Sequence, residues 1–235
     1  MADRRIELGT IAVLAALLTA CASQVAAPPQ PDRGGPADFP HAHYRQLLAE
    51  GKPVFLVDPA RSLAVIEVRR SGSLAQFGHD HVIASHDVTG NIAPEEGRAD
   101  FYVPLDAMVV DEPLLRTEAG FDTQPDPDDI AGTRRNMLQR VLDADRYPYA
   151  LIGVQDVAAA SLPERVRVTL TLHGVARSVD AAVHWEGTTA EFSVTGTFAI
   201  DQSQFGIAPL SILGGAISVQ DRVNVSFRIR ADRMH

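Results

Sequence analysis

The stretch Arg165-Val166-Arg167-Val168-Thr169-Leu170-Thr171-Leu172 alternates polar and apolar residues without a break. A period of two puts every apolar side chain on one face of an extended chain, so the segment predicts a strand with one dry face and one wet face. The same period recurs at Phe192, Val194, Phe198 and Ile200, again at Val219, Val223, Val225, Phe227 and Ile229, and more faintly at Val179, Ala181, Val183 and Trp185. Earlier strands are predicted over Ser62 to Arg69, His81 to Ser85, Asp87 to Ile92 and Arg98 to Leu105. Strands at this spacing with short polar links predict an all-β antiparallel sandwich or barrel, not a parallel α/β sheet.

Helical spacing interrupts the alternation twice. Between Asp129 and Asp143 the residues Ile130, Met137, Leu138, Val141 and Leu142 form a stripe, Asp128 or Asp129 can cap the first turn, and Pro148 bars continuation. Tyr44, Leu47 and Leu48 predict a shorter helix from His43 to Glu50, stopped by Gly51. The acidic segment from Asp111 to Asp129 has Asp122, Asp126, Asp128 and Asp129 but lacks the spacing and central glycine of a calcium loop, so it predicts a solvated connection.

The first residues carry a different pattern. Arg4 and Arg5 precede an apolar run from Gly9 to Ala20, long enough for an export signal and too short to span a bilayer core. The run ends Leu18-Thr19-Ala20-Cys21, which resembles the lipobox of bacterial lipoproteins; that resemblance implies cleavage before Cys21 and acylation of its thiol. A triacylated cysteine would supply the more than one acyl chain that stable anchoring needs. Ala22 in place of an aspartate points, by the sorting rule usual for such lipoproteins, to the outer membrane of a two-membrane envelope. From Ala22 to Pro40 the chain is rich in Pro, Ala, Gly and Gln without apolar period and reads as an extended spacer. The expected organisation is a signal peptide over 1–20, a lipidated Cys21 and tether over 21–40, a short helix and lead-in over 41–53, and a β domain over 54–232. The location expected is the periplasmic face of the envelope.

Charge and cysteine content narrow the partners. The net charge of −9 is unchanged by removing residues 1–20, since Asp3 and Glu7 cancel Arg4 and Arg5, and an acidic domain argues against nucleic acid as a partner. Cys21 is the single cysteine, so neither an intramolecular disulfide nor a thiolate cluster can form.

Candidate chemistry is sparse. His79 and His81 flank Asp80 two residues apart, so both imidazoles project to one face of an extended chain, and His86 follows; such spacing can hold zinc or copper, or contact a ligand's head. Asp221 falls on the apolar face between Val219 and Val223, where a ligand head, an arginine or a backbone donor would satisfy it. No nucleophile elbow, phosphate-cradling loop or dinucleotide fingerprint occurs, which leaves nothing from which to argue catalysis.

Four stretches together resemble the YceI-like, polyisoprenoid-binding family: Phe55 to Val68, with its aspartate, serine and apolar alternation; Arg134-Arg135-Asn136-Met137-Leu138 leading to Tyr147-Pro148; Val168 to Arg177; and Phe205-Gly206-Ile207 with Val219 to Val223. Asn136 and Gln202 depart from residues usual in that family, and the Asp111 to Asp129 loop and Phe77-Gly78-His79-Asp80-His81 look like additions marking a lipoprotein branch. The resemblance implies a lipocalin-like antiparallel barrel of about eight strands holding an isoprenoid lipid of the quinone or polyprenyl type, without catalysis. By alternation alone Val166, Val168, Leu170, Leu172, Phe192, Val194, Phe198, Ile200, Val223, Val225 and Phe227 suit an ordinary core. The resemblance implies that they wall a lipid tunnel instead.

Overall fold

A computed structural model describes residues 34–155 and 164–234; the expected signal peptide, Cys21 and most of the tether lie outside the described residues. Residues Gly35–His235 form one compact unit that carries its own closed sheet and core. No helix among the described residues is long and apolar enough to cross a membrane.

Among the described residues fourteen strands build the unit: β1 (Phe55–Val57), β2 (Leu63–Val68), β3 (Arg70–Ser71), β4 (His81–Ser85), β5 (Thr89–Ala93), β6 (Arg98–Pro104), β7 (Val109–Val110), β8 (Tyr149–Val154), β9 (Arg165–Leu172), β10 (Val175–Gly187), β11 (Glu191–Asp201), β12 (Ser211–Ile212), β13 (Ile217–Val219) and β14 (Arg222–Arg233). Eight of them close an antiparallel ring in the order β1, β5, β6, β8, β9, β10, β11, β14, with β14 returning to β1 through Phe55 opposite Arg233 and Val57 opposite Ala231. Closure leaves the ring without a free edge.

Three staves of this barrel are broken halfway. β2 continues β1 along β14, β4 continues β5, and β7 continues β6. Across the first break Val57 faces Ala231 and Leu63 faces Arg228, so the five residues 58–62 lie opposite the two residues 229–230, a slip of three. The extra residues form the turn Pro59–Arg61, where Pro59 has no N–H to give a ladder and Asp58 accepts from the Ala60 amide at 3.0 Å. Arg61 fastens the turn to Asp58, Glu191 and Asp232.

The second half of the chain is more regular. β9 alternates exposed and buried residues from Arg165 to Leu170, and Thr171 and Leu172 are both half-buried. It joins β10 through a two-residue turn, His173 and Gly174, both at positive φ (53° and 74°), the type I′ geometry whose twist matches a hairpin. A side chain at Gly174 would meet the Tyr147 ring at 2.5 Å, so the glycine also seats the tyrosine that precedes Pro148.

Three α-helices decorate the barrel: α1 (His41–Ala49), α2 (Pro113–Glu118) and α3 (Pro127–Asn136). α1 buries Tyr44 and Leu47 against Val54 and Ala93. The chain ahead of it already packs on the barrel, with Pro36 buried and Phe39 edge-on to Tyr102 at 5.0 Å. α3 begins earlier than its apolar stripe suggests, because Asp126 is the cap, accepting from the Asp129 amide at 2.8 Å with Pro127 in the first turn. It runs into a π-helical turn at Met137–Val141, which carries Met137 into the core. The Asp111 to Asp129 segment is no simple solvated loop. α2 lies within it, and Leu115 and Phe121 pack against Val82 and Ala84 on the outer face of β4.

A candidate ligand cavity inside the barrel

Inward positions on the staves meet in a cavity of about 470 Å³. The structure places Val166, Val168, Leu170 and Leu172 of β9, Phe192, Val194, Phe198 and Ile200 of β11, and Val223, Val225 and Phe227 of β14 on its wall. The broken staves add Ala64 and Ile66 of β2, Ile83 of β4, and Phe101 and Val103 of β6, and β8 completes it with Ala150 and Ile152. Ile66, Ile83, Phe101, Ile152 and Phe198 remain only half-buried although they point into a closed ring. A filled interior would bury them fully, so the barrel is hollow. Gly196 of β11 takes part in the wall's shape, since a side chain there would overlap the Phe227 ring at 2.5 Å.

The lining is apolar over most of its area; Arg98 of β6, held by Asp100, borders it at the β5–β6 turn, and the other polar groups gather at one end. There Arg70, His79, His81, Gln202 and Ser218 reach the wall, and α3 adds Thr133 and Asn136. β3, β12 and β13 form a small separate sheet beside this end, with Ser71 opposite Ser218 and their hydroxyls 2.8 Å apart. Phe77, 68% exposed, and the exposed Ile212 border the same cavity, marking an apolar rim.

The three histidines singled out by spacing do not converge. His81 Nδ1 lies 2.6 Å from Asp111 Oδ2, His86 Nε2 lies 2.7 Å from Glu112 Oε1, and His79 Nε2 lies 3.4 Å from Asp129 Oδ2. His86 is five residues from His81, an odd step along extended chain, which turns it to the opposite, solvent-facing side at 52% side-chain exposure. Among the described residues no three His, Cys, Asp or Glu side chains come together to hold a metal. The zinc or copper expected at His79, His81 and His86 therefore lacks a ligand set.

Sequence reasoning left Asp111 and Arg116 unremarked, and they organise this end. Asp111 follows β7 at φ 59°, and its carboxylate accepts from the Val82 amide at 3.0 Å, from Arg116 at 2.5 Å and from His81. Arg116 is 1% exposed; it also donates to the Asp80 carbonyl at 2.6 Å and to Thr123. Burial pushes the Asp111 carboxyl up more than any other single influence. The hydrogen bond from His81 and the positive charge that ring carries when protonated, with hydrogen bonds from Val82 and Arg116, together outweigh it and hold the carboxyl below the ordinary carboxylate range. Asp221 proves to be a local bond: it accepts from the Ser203 amide at 2.7 Å and hydroxyl at 2.5 Å, and those bonds lower its carboxyl.

Comparison with known proteins agrees with this architecture. A family model described as the YceI-like domain matches residues 57–231. A polyisoprenoid-binding domain from Saccharophagus degradans superposes with a TM-score of 0.55 at 14% identity, covering 77% of this chain and 98% of that one. BcnA from Burkholderia cenocepacia superposes at 0.52 with 18% identity, covering 74% and 98%. Among curated proteins none matches.

Proposed function

The chain belongs to the YceI-like domain family, and from that premise we propose that its barrel holds one slender apolar lipid, an isoprenoid of the quinone or polyprenyl type, without reacting with it. The observation that carries this reading is the hollow interior: about 470 Å³ with aliphatic and aromatic walls, a size within the usual range of ligand pockets. Burying a twenty-carbon tail is worth about 16 kcal/mol gross at ~0.8 kcal/mol per CH₂. Association and ordering cost about 4 to 15 kcal/mol, so apolar walls suffice for binding. The polyisoprenoid-binding description of the Saccharophagus degradans domain supports the ligand class.

The same reading places the barrel in the cell envelope, exported by residues 1–20 and held at the outer membrane through acylated Cys21. An acidic barrel on a short tether stays near bilayers as a reservoir or carrier of lipid while remaining outside them. The chain from Ala22, produced in bacteria, is expected to carry a prenyl lipid through purification, seen as a one-to-one adduct by native mass spectrometry and recovered by organic extraction. A barrel that neither carries such a lipid nor takes up a twenty-carbon prenyl alcohol would sink the binding function. In the full chain, Cys21→Ser is expected to release the protein from sedimenting membranes, and retention would refute the anchor.

A further inference from the structure

Two imidazoles share the polar end of the cavity, one bonded to a carboxylate and the other turned toward one. His81 lines the cavity and gives Nδ1 to Asp111 Oδ2 at 2.6 Å. An ionised carboxylate only accepts, so the proton of neutral His81 sits on Nδ1, and Nε2 is left with a lone pair. Asp111 is itself fixed by Arg116 and the Val82 amide, which sets the ring's orientation. His79 lies alongside, its ring centroid 6.2 Å from that of His81. Its Nε2 lies 3.4 Å from Asp129 Oδ2 and its Nδ1 is buried with no partner among the described residues; in the tautomer that turns the Nε2 proton toward Asp129, Nδ1 is a second lone pair without a donor.

The charges around them select the kind of head this end can take. Arg70 is engaged by the Gly78 carbonyl and by Asp122, with Asp80 at 3.9 Å, and the two terminal nitrogens of Arg116 are taken by Asp111, Asp80 and Thr123, its Nε being buried without a partner among the described residues. Three carboxylates, Asp80, Asp111 and Asp122, lie against the two guanidiniums, and a fourth, Asp129, faces His79. An anionic head would meet these carboxylates and, among the described lining residues, no unpaired arginine. A neutral hydroxyl meets two acceptors awaiting a donor, and the Asn136 amide on the same wall can donate back to its oxygen.

We propose that His81 and His79 form a head-group site for an isoprenoid lipid whose neutral head donates through a hydroxyl, an isoprenoid alcohol or a hydroquinone, with His81 Nε2 accepting and Asp111 as the positioning residue. This assignment rests on reading the cavity as a lipid site, and the two can be separated. The chain from Ala22, stripped of lipid, is titrated with geranylgeraniol, its methyl ether and geranylgeranyl diphosphate. Trp185 on the cavity wall reports occupancy, and native mass spectrometry gives stoichiometry. The alcohol is expected to bind about three- to tenfold tighter than the ether, the value of one net hydrogen bond, with the diphosphate weaker than the alcohol. His81→Phe is expected to bring alcohol and ether level while leaving the ether's affinity in place, and His79→Phe to narrow the gap. Equal binding of alcohol and ether by the unaltered protein would overturn the head-group site and leave the lipid cavity standing. So would a diphosphate that binds tightest, or a preference that survives both variants. Binding of none of the three would remove the lipid function and this site with it.

Discussion

β4 separates two interiors that the chain fills in opposite ways. Its inward residues His81 and Ile83 face the hollow of the barrel, and its outward residues Val82 and Ala84 are covered by Leu115 and Phe121 from the α2 segment. The inner space is bounded by large apolar side chains that leave room between them. The outer seam is filled, and at its end sit a fully buried carboxylate and guanidinium. Burying apolar surface stabilises both, but only the seam commits its residues to single partners. A space meant for a guest needs walls without fixed partners, whereas a cover that orients His81 needs partners that cannot exchange.

The largest way to break this contrast is at Arg116. Arg116→Met leaves Asp111 buried without its cation and removes the donors to Asp80 and Thr123, at an expected cost of about 3–5 kcal/mol. Urea unfolding measures it. The double variant Arg116→Met with Asp111→Asn should recover much of that loss, because no orphan charge remains, the amide oxygen still accepts from Val82, and asparagine tolerates the positive φ at this position. A single variant costing under about 1 kcal/mol would show that apolar packing alone holds the seam.

Acid should open the seam before the barrel. Asp111 titrates below its unfolded value of about 3.9, so its contribution is fully present above that pH and is lost as pH falls through the lower folded value. The Val82 amide, which donates to Asp111, should lose hydrogen-exchange protection below about pH 4 while the β9 amides keep theirs. Asp111→Asn should flatten that dependence. Identical acid profiles for Val82 and β9 would mean that the two interiors open as one unit.

The same contrast explains what the sequence disclosed. β9, β11 and β14 alternate over eight or more residues, and each pairs along its length with partners of equal regularity, so the period two alone points their apolar residues inward. The broken staves defeat that reading, since the three-residue slip at Pro59–Arg61 exists only relative to β14. β4 defeats it too: Val82 and Ala84 are buried by a helix of six residues, too short to show an apolar period. Asp111 and Arg116 are neighbours in sequence, yet their burial follows from Phe121 and Leu115 closing over them. The partner of His81 lies 30 residues away and carries no local signal. His86, grouped with His79 and His81 because it follows them closely, carries an odd spacing from His81 that sets it on the other face.

The smallest expected effect on stability is the sharpest test of hollowness. Ala150 of β8 lies on the cavity wall, opposite Val103 of β6 in the ladder. In a filled core Ala150→Phe would force neighbours aside and cost about 1–3 kcal/mol. In a hollow barrel the ring enters free volume, buries its own surface and leaves the unfolding free energy within about 1 kcal/mol of the parent. The same ring occupies space a prenyl chain would need, so uptake of geranylgeraniol should fall by at least about tenfold, which at 25 °C corresponds to about 1.4 kcal/mol of binding. A variant that loses stability and keeps its ligand would reverse the assignment of the two interiors. One that keeps stability and loses its ligand shows that the space inside the staves is reserved for a guest.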